Sequence, residues 1–258
     1  MNHASMVRVE RVDDIAVLTL QRGKGNSLNP MVIEELFDSL RREDVAEGSR
    51  ALVITGDGKF FSTGLDLVEL TELDQGRMLA FLDRLQGFLS TIFVWSRPVI
   101  AAINGHAVAG GCLLALASDW RVLSRGDVKM GLNEIALGLP LPQAGLEIAR
   151  AQLSTHSFSE VVYGGDLHGP EECLRLGLAD QLADPDQVLA AALEVARRWG
   201  KHDPVAFHRV KAGLRDRVLL RIREHHDEHQ EEWVNLWFSP KTRTRIEAAR
   251  TGLLQKRR

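Results

Sequence analysis

Asn104-Gly105-His106-Ala107-Val108-Ala109-Gly110-Gly111-Cys112-Leu113-Leu114-Ala115-Leu116 begins in small, turn-forming residues and ends in strong helix formers. Just before it, Val99 to Ile103 (VIAAI) is a short apolar run of the kind buried on both faces of a parallel sheet. A strand, a glycine loop and a helix follow one another, which is the repeating unit of an α/β fold. In such folds ligands bind beyond the carboxyl ends of the strands. Gly110-Gly111 also leaves backbone N–H groups without intrahelical partners at a helix start, where the dipole favours negative charge.

The same order occurs upstream. Ala51 to Thr55 (ALVIT) is a second buried-strand run, and Gly58-Lys59-Phe60-Phe61-Ser62-Thr63-Gly64-Leu65-Asp66-Leu67 follows it. Small residues there let a ligand approach the backbone closely. Two N–H groups from separate loops converging on one oxygen would form an oxyanion hole, which stabilises a thioester or amide carbonyl as it gains charge. A glycine pair before a helix is equally the mark of a tight turn, so each loop alone leaves both readings open.

Working outward, Val7 to Val12 and Ile15 to Gln21 alternate around Asp13-Asp14 as a hairpin would. Asn29-Pro30 supplies a cap and a first helical residue for Ile33, Leu36, Phe37 and Leu40. A long helix from about Asp74 to Trp95 carries Met78, Phe81, Leu82, Leu85, Phe88, Leu89 and Ile92 on one stripe, expected to be core. Beyond Leu182 the pattern is helical: Asp186 to Trp199, Pro204 to about Leu214, Val218 to Phe238, and a last helix through Ala248 and Leu253. Residues 1–182 thus read as an α/β core and 183–258 as a helical region that covers a partner. Trp233, Leu236, Trp237 and Phe238 carry more apolar surface than an isolated helical tail leaves exposed, which predicts subunit contact.

Composition narrows the function. The 258 residues hold 32 Lys plus Arg against 35 Asp plus Glu, a formal charge of -3, so there is no global electrostatic footprint for nucleic acid or an acidic membrane. Neither partner is expected. No stretch reaches the roughly 18 apolar residues of a membrane span, and MNHASMVRVERVDD lacks an apolar signal core. Cys112 and Cys173 stand apart without metal-ligand spacing, so no metal site is expected and a reducing, cytoplasmic compartment fits.

FFSTGLDL, then AINGHAVAGGCLLALASD, then GLNEIALGL resembles the enoyl-CoA hydratase/isomerase (crotonase) superfamily. QRGKGNSLNP at 21–30 resembles its first loop, with Gly23 where proline is common. The resemblance runs from about Val7 through the C-terminal helices. It implies a crotonase-like spiral of ββα turns forming two sheets, a C-terminal trimerisation region giving a homotrimer or a dimer of trimers, and a coenzyme A thioester as substrate. Coenzyme A is then part of the substrate, and no separate cofactor is implied. Leu65 and Gly110 stand where the family's two oxyanion N–H donors stand. Ser62, Thr63, Gly64 and Asp66 fall in the loop that holds the coenzyme A thioester, and Lys24 falls where a basic residue often lies near its phosphates.

Hydratases of this superfamily use two glutamates, one after the GGC segment and one in the GxxE segment. Leu113 occupies the first position and Glu134 the second. A single carboxylate beside an enolate suffices to move a proton along a dienolate, so the resemblance implies a Δ3,Δ2-enoyl-CoA isomerase with Glu134 as acid/base. An apolar pocket from Leu113, Ile135 and Leu139 would raise its pKa toward neutrality. A hydratase, another crotonase-type lyase or hydrolase, and a non-catalytic binding protein on the same fold remain the alternatives. On residues alone, Glu134 could instead complement a helix dipole. Cys112 and Cys173 read as buried core thiols and His106 as a hydrogen-bonded loop residue. His225 and His229, at i and i+4, read as a solvated or subunit-facing pair rather than metal ligands.

Overall fold

The computed structural model describes residues 5–257, and its strands fall into two sheets whose members alternate along the chain. Strands β1 (Val7–Val12) and β2 (Ile15–Leu20) form the expected antiparallel hairpin. Helix α1 (Pro30–Arg41) starts where the capping pattern put it, with the Asn29 side chain accepting from the Val32 N–H at 2.9 Å. The short helix α2 (Glu43–Ala46) leads to β3 (Ala51–Gly56), β4 (Phe60–Ser62), α3 (Leu67–Leu70) and α4 (Gln75–Phe93). Next come β5 (Val99–Ile103), β6 (His106–Val108), α5 (Gly110–Leu116), β7 (Trp120–Ser124), β8 (Met130–Gly131) and α6 (Glu134–Leu137). Helices α7 (Gln143–Gln152), α8 (Thr155–Gly164) and α9 (Pro170–Leu176) precede β9 (Gln181–Ala183). Helices α10 (Val188–Gly200), α11 (Pro204–Glu224), α12 (His226–Phe238) and α13 (Pro240–Arg257) complete the chain.

One sheet has the order β1-β2-β3-β5-β7-β9 and the other β4-β6-β8. Three successive turns, β3-β4-α3, β5-β6-α5 and β7-β8-α6, each give one strand to each sheet before a helix begins. This is the ββα spiral that the resemblance implied. The second sheet is parallel throughout, with Ala107 opposite Met130 and Val108 opposite Gly131. It therefore lines up the starts of α3, α5 and α6, where every candidate site residue but Lys24, in the loop between β2 and α1, is found.

The central strands are apolar at consecutive positions because both faces of the large sheet are covered. Leu52, Ile54, Ala101 and Ile103 point into one core, whereas Val53, Ile100, Ala102 and Val122 point into another. The second core is closed by Val188, Ala192, Val195 and Ala196 of α10. This helix is a layer of its own chain's fold. The expected appendage also differs in its breaks: Pro204 to Glu224 is one continuous helix, interrupted at His225 rather than before Val218. The intervening Arg215-Asp216-Arg217 contains no helix breaker, and Lys211 and Arg215 anchor the helix by pairing with the buried carboxylate of Asp119 at 2.7 and 2.8 Å.

The apolar residues assigned to subunit contact also lie elsewhere. Trp233 and Trp237 stack at 5.4 Å between ring centroids and are buried within the chain, with the Trp233 indole N–H donating to the Pro140 carbonyl at 2.9 Å. Leu236 and Phe238 pack against the same core. A tail folded back on α4 and α7 consumes that surface internally. Of the large apolar side chains left in solvent, four are on α11, at Val205, Val210, Leu214 and Leu220, with Leu214 75% exposed; others, among them Met31, Ile135 and Tyr163, are scattered over other elements.

Candidate active site

The first N–H donor is built by a short cross-strand bridge. Leu28 N–H donates to the Gly64 carbonyl at 2.7 Å and Asp66 N–H to the Leu28 carbonyl at 2.9 Å. These two bonds flank Leu65 and turn its own N–H away from Leu28, so it donates to no other group among the described residues. Gly64 makes the turn at φ +76°, a conformation costly for a residue with a Cβ. There is no room for one either: a Cβ at Gly64 would lie 2.7 Å from the Val108 carbonyl oxygen and 2.9 Å from the Gly110 nitrogen.

That close approach brings the second donor alongside. Gly110 is the first residue of α5, so its N–H lacks an intrahelical acceptor. Ala109 before it sits at φ 51°, ψ −120°, an unfavourable region for a non-glycine residue. Strain of this kind costs about 1–3 kcal/mol and persists only where the surroundings enforce it. Here Ala109 N–H is held by the Gly131 carbonyl at 2.9 Å, and Leu113 N–H donates back to the Ala109 carbonyl at 3.0 Å. No signal in the sequence marks Ala109, because alanine carries no preference for such a turn.

Glu134 opens α6, and its surroundings decide between the two roles open to it. A carboxylate complementing a dipole is exposed and has a lowered pKa. Glu134 is buried, its Oε2 has no partner among the described residues, and burial pushes its carboxyl up to about 7, its own backbone N–H opposing only weakly. The thiol of Cys112, two residues beyond Gly110, is pushed well up by burial first and by the Glu134 carboxylate second. The bond from Ala109 N–H to the Gly131 carbonyl, three residues before Glu134, ties the start of α6 to the start of α5. Leu113 fills the gap between α5 and α7, where a Cβ at Gly145 would meet its Cδ1 at 2.6 Å. The position presents hydrocarbon and no proton donor.

Other sequence candidates sort themselves by contact. Ser62 is wholly buried; its hydroxyl donates to the Asn26 carbonyl at 2.8 Å and accepts from Gly64 N–H at 3.1 Å. Thr63 donates through its N–H and its hydroxyl to the Gly25 carbonyl at 2.9 and 3.2 Å. Both side chains stitch the loop, as do the N–H groups of Thr63 and Gly64. Lys24 is exposed at the tip of the turn begun by Gly23 at φ +55°. Asp66, expected among the binding groups, has its carboxylate turned inward, capping α3 and pairing with Arg22 at 2.5 Å.

His106 accepts from the Lys129 N–H at 3.0 Å, as the hydrogen-bonded reading required, but it opens strand β6 rather than lying in a loop. His225 and His229 stack on one another at 5.6 Å, and no set of three metal-ligating side chains occurs among the described residues. Both cysteines are buried with raised thiol pKa values, Cys173 up to about 12 through burial. Reasoning on the sequence overlooked Arg22 and Asn26. Asn26 sits at φ 48°, and its side chain donates to the Asp57 and Phe60 carbonyls at 3.0 and 2.8 Å. An asparagine between glycine and serine was the available hint, since Asn tolerates this backbone region.

Two unengaged N–H groups side by side can hold negative charge on one oxygen, and a buried carboxyl of near-neutral pKa at the start of the neighbouring helix α6 can take or give a proton. A profile of the enoyl-CoA hydratase/isomerase family matches residues 10–243. The chain belongs to this family. Among relatives in the enoyl-CoA hydratase/isomerase family, a probable enoyl-CoA hydratase of Mycobacterium tuberculosis is 34% identical over 206 residues, 78% of this chain and 77% of that protein. The 2,3-dehydroadipyl-CoA hydratase of Escherichia coli is 30% identical over 208 residues, 80% of each. The human mitochondrial delta3-delta2-enoyl-CoA isomerase superposes with a TM-score of 0.93 at 25% identity, covering 98% of this chain and 99% of that one.

Proposed function

We propose that this family member isomerises 3-enoyl-CoA thioesters to 2-enoyl-CoA thioesters, with Glu134 as the single acid/base. The observation that carries the reading is a buried Glu134 carboxyl at pKa about 7 in a chain whose position 113 holds hydrocarbon in place of a second carboxylate. The thioester carbonyl oxygen accepts from Leu65 N–H and Gly110 N–H, which lowers the energy of negative charge forming there. Glu134 then removes a proton from C2, between the carbonyl and the C3–C4 double bond. The electron pair spreads over oxygen, C2 and C4, and the same carboxyl returns the proton to C4, leaving the double bond at C2–C3. A base near neutrality suits both halves, since it accepts and releases the proton at comparable cost. The loop of Ser62, Thr63 and Gly64, with Lys24 outside it, holds the coenzyme A portion, and neither metal nor redox cofactor enters.

Hydration of 2-enoyl-CoA is the second reading, favoured by the names of the two relatives. It needs a positioned water and a proton donor, and Leu113 supplies neither. Isomerisation is therefore expected to exceed hydration by at least about a hundredfold, the lower range for loss of an acid/base group. Separate incubations with 3-enoyl-CoA and 2-enoyl-CoA, analysed by chromatography and mass, give the ratio; equal or faster hydration overturns the assignment.

The assembly proposed is a homotrimer or a dimer of trimers, now supported by the exposed apolar residues of α11. Val210 and Leu214 are one helical turn apart and form an apolar face that association would remove from water. Light scattering at micromolar concentration should give three or six chains, and Leu214→Glu should shift the population toward monomer. A wild-type monomer would dismiss the assembly.

A further inference from the structure

Arg22 belongs to no group so far assigned a function, yet it reaches the segment that carries the first oxyanion donor. Its Nη1 donates to Asp66 Oδ2 at 2.5 Å and to Ser27 Oγ at 2.6 Å, while its Nη2 pairs with Glu69. Ser27 Oγ passes a second bond to the same Asp66 oxygen at 2.9 Å. The other oxygen of Asp66 accepts from Val68 N–H and Glu69 N–H at 3.0 and 3.1 Å, and Asn29 Nδ2 donates to Glu69 at 2.6 Å. Both oxygens of Asp66 are thus engaged, and its side chain is 2% exposed. Burial opposes its ionisation, but Arg22, the Glu69 N–H and Ser27 outweigh that and hold the carboxyl below its ordinary value.

This network spans the peptide whose direction matters. Leu65 has two fixed neighbours: Gly64, tied through its carbonyl to Leu28, and Asp66, tied through its N–H to Leu28 and through its side chain to Arg22. A rotation of the Gly64–Leu65 peptide would break the bond from its carbonyl to Leu28 N–H, and a displacement of Leu65 as a whole would carry Asp66 off its bridge or out of the guanidinium fork. A fork addressed to two carboxylates fixes direction as well as distance, which a point charge does not. The same arginine lies in the turn that presents Lys24, and that turn is stitched to the donor loop through Thr63 and Ser62.

We infer that Arg22 is a positioning residue that aims the Leu65 N–H at the thioester oxygen by clamping Asp66 and Glu69. The inference rests on the reading of Leu65 and Gly110 as oxyanion donors. Its effect falls on the transition state, because a misaimed donor weakens charge stabilisation while the rest of the coenzyme A contacts remain.

The test uses two variants and a spectroscopic probe. Arg22→Lys keeps a positive charge over the buried Asp66 but cannot fork to both carboxylates; Arg22→Gln removes the charge. Turnover of 3-enoyl-CoA is measured beside the affinity for a saturated acyl-CoA. The red shift of a bound 2,4-dienoyl-CoA reports how strongly its carbonyl is polarised. Arg22→Lys should fold as the wild type and lose about tenfold in kcat with affinity within about threefold, and Arg22→Gln should approach the hundredfold loss of a removed donor. The red shift should shrink in the same order. Full kcat and full red shift in Arg22→Lys would overturn the inference, as would parallel loss of affinity, turnover and thermal stability, the mark of a merely structural pair. A wild-type complex with no red shift would remove the oxyanion reading itself and leave Arg22 nothing to aim.

Discussion

Glu134→Gln should lower kcat for 3-enoyl-CoA by about a hundredfold to ten-thousandfold while leaving the Kd for a saturated acyl-CoA nearly unchanged. Glutamine keeps the side chain's shape and reach but cannot take the C2 proton. The proposed oxyanion donors are backbone groups and are untouched. On the proposed mechanism the ionised carboxyl is the base, so kcat/KM should climb about tenfold per pH unit below about 7 and level off above it. Near-normal turnover in the variant would take Glu134 out of the mechanism.

The same substitution has a thermodynamic counterpart that a structural carboxylate would not show. A carboxyl with its folded pKa raised to about 7 from 4.5 favours the folded state while protonated. That contribution is fully present below pH 4.5, declines as the pH rises toward 7, and is lost above. At pH 8 the buried charge costs up to about 3 kcal/mol, because a tenfold change in proton affinity between the folded and unfolded chain is worth about 1.4 kcal/mol. Glu134→Gln should therefore raise the unfolding midpoint at pH 8 and much less at pH 5. A variant less stable than the wild type at pH 8, with weakened ligand affinity, would instead give Glu134 the dipole-complementing role.

Gly64→Ala carries the second large effect. The added Cβ would have to occupy a positive-φ position and come within 2.7 Å of the Val108 carbonyl and 2.9 Å of the Gly110 nitrogen. Backbone atoms on both sides cannot swing aside as a side chain could, so the loops must separate. Both oxyanion donors then lose their shared focus, and turnover should fall by at least the hundredfold to thousandfold associated with a single lost donor. Stability should fall by about 1–3 kcal/mol from the backbone conformation alone. Gly58→Ala makes a useful control, since φ is +72° there but no atom lies within 4 Å of the added carbon. It should share the stability loss and retain kcat. Comparable activity in the two variants would show that the close approach at Gly64 is dispensable.

The local elements were legible because they depend on neighbours in sequence. Apolar runs at Ala51 and Val99, the Asn29 cap and the stripe on α4 use interactions within a few residues, and each appears where periodicity and capping placed it. The two glycine loops were legible as backbone devices for a related reason: glycine is chosen for conformations other residues resist. Motif resemblance added their order, and with it Leu65, Gly110 and Glu134.

Properties that depend on distant partners emerge only when the chain is folded. Whether Trp233 and Trp237 face a second subunit or their own α4 depends on how a helix folds back across the chain, and periodicity is the same in both cases. Nothing in the sequence links Lys211 and Arg215 to Asp119, which only the folded chain brings beneath them. Ala109 gives no compositional sign of its strained turn, because Gly131 enforces it from a neighbouring strand. Arg22 looked like any loop arginine, and its two carboxylates lie more than forty residues away. Local elements, their order and the chemical types at the site are therefore written in the linear chain. Burial and electrostatic partnership, and through them the state of Glu134, belong to the folded molecule, because desolvation and charge pairing depend on distance in space.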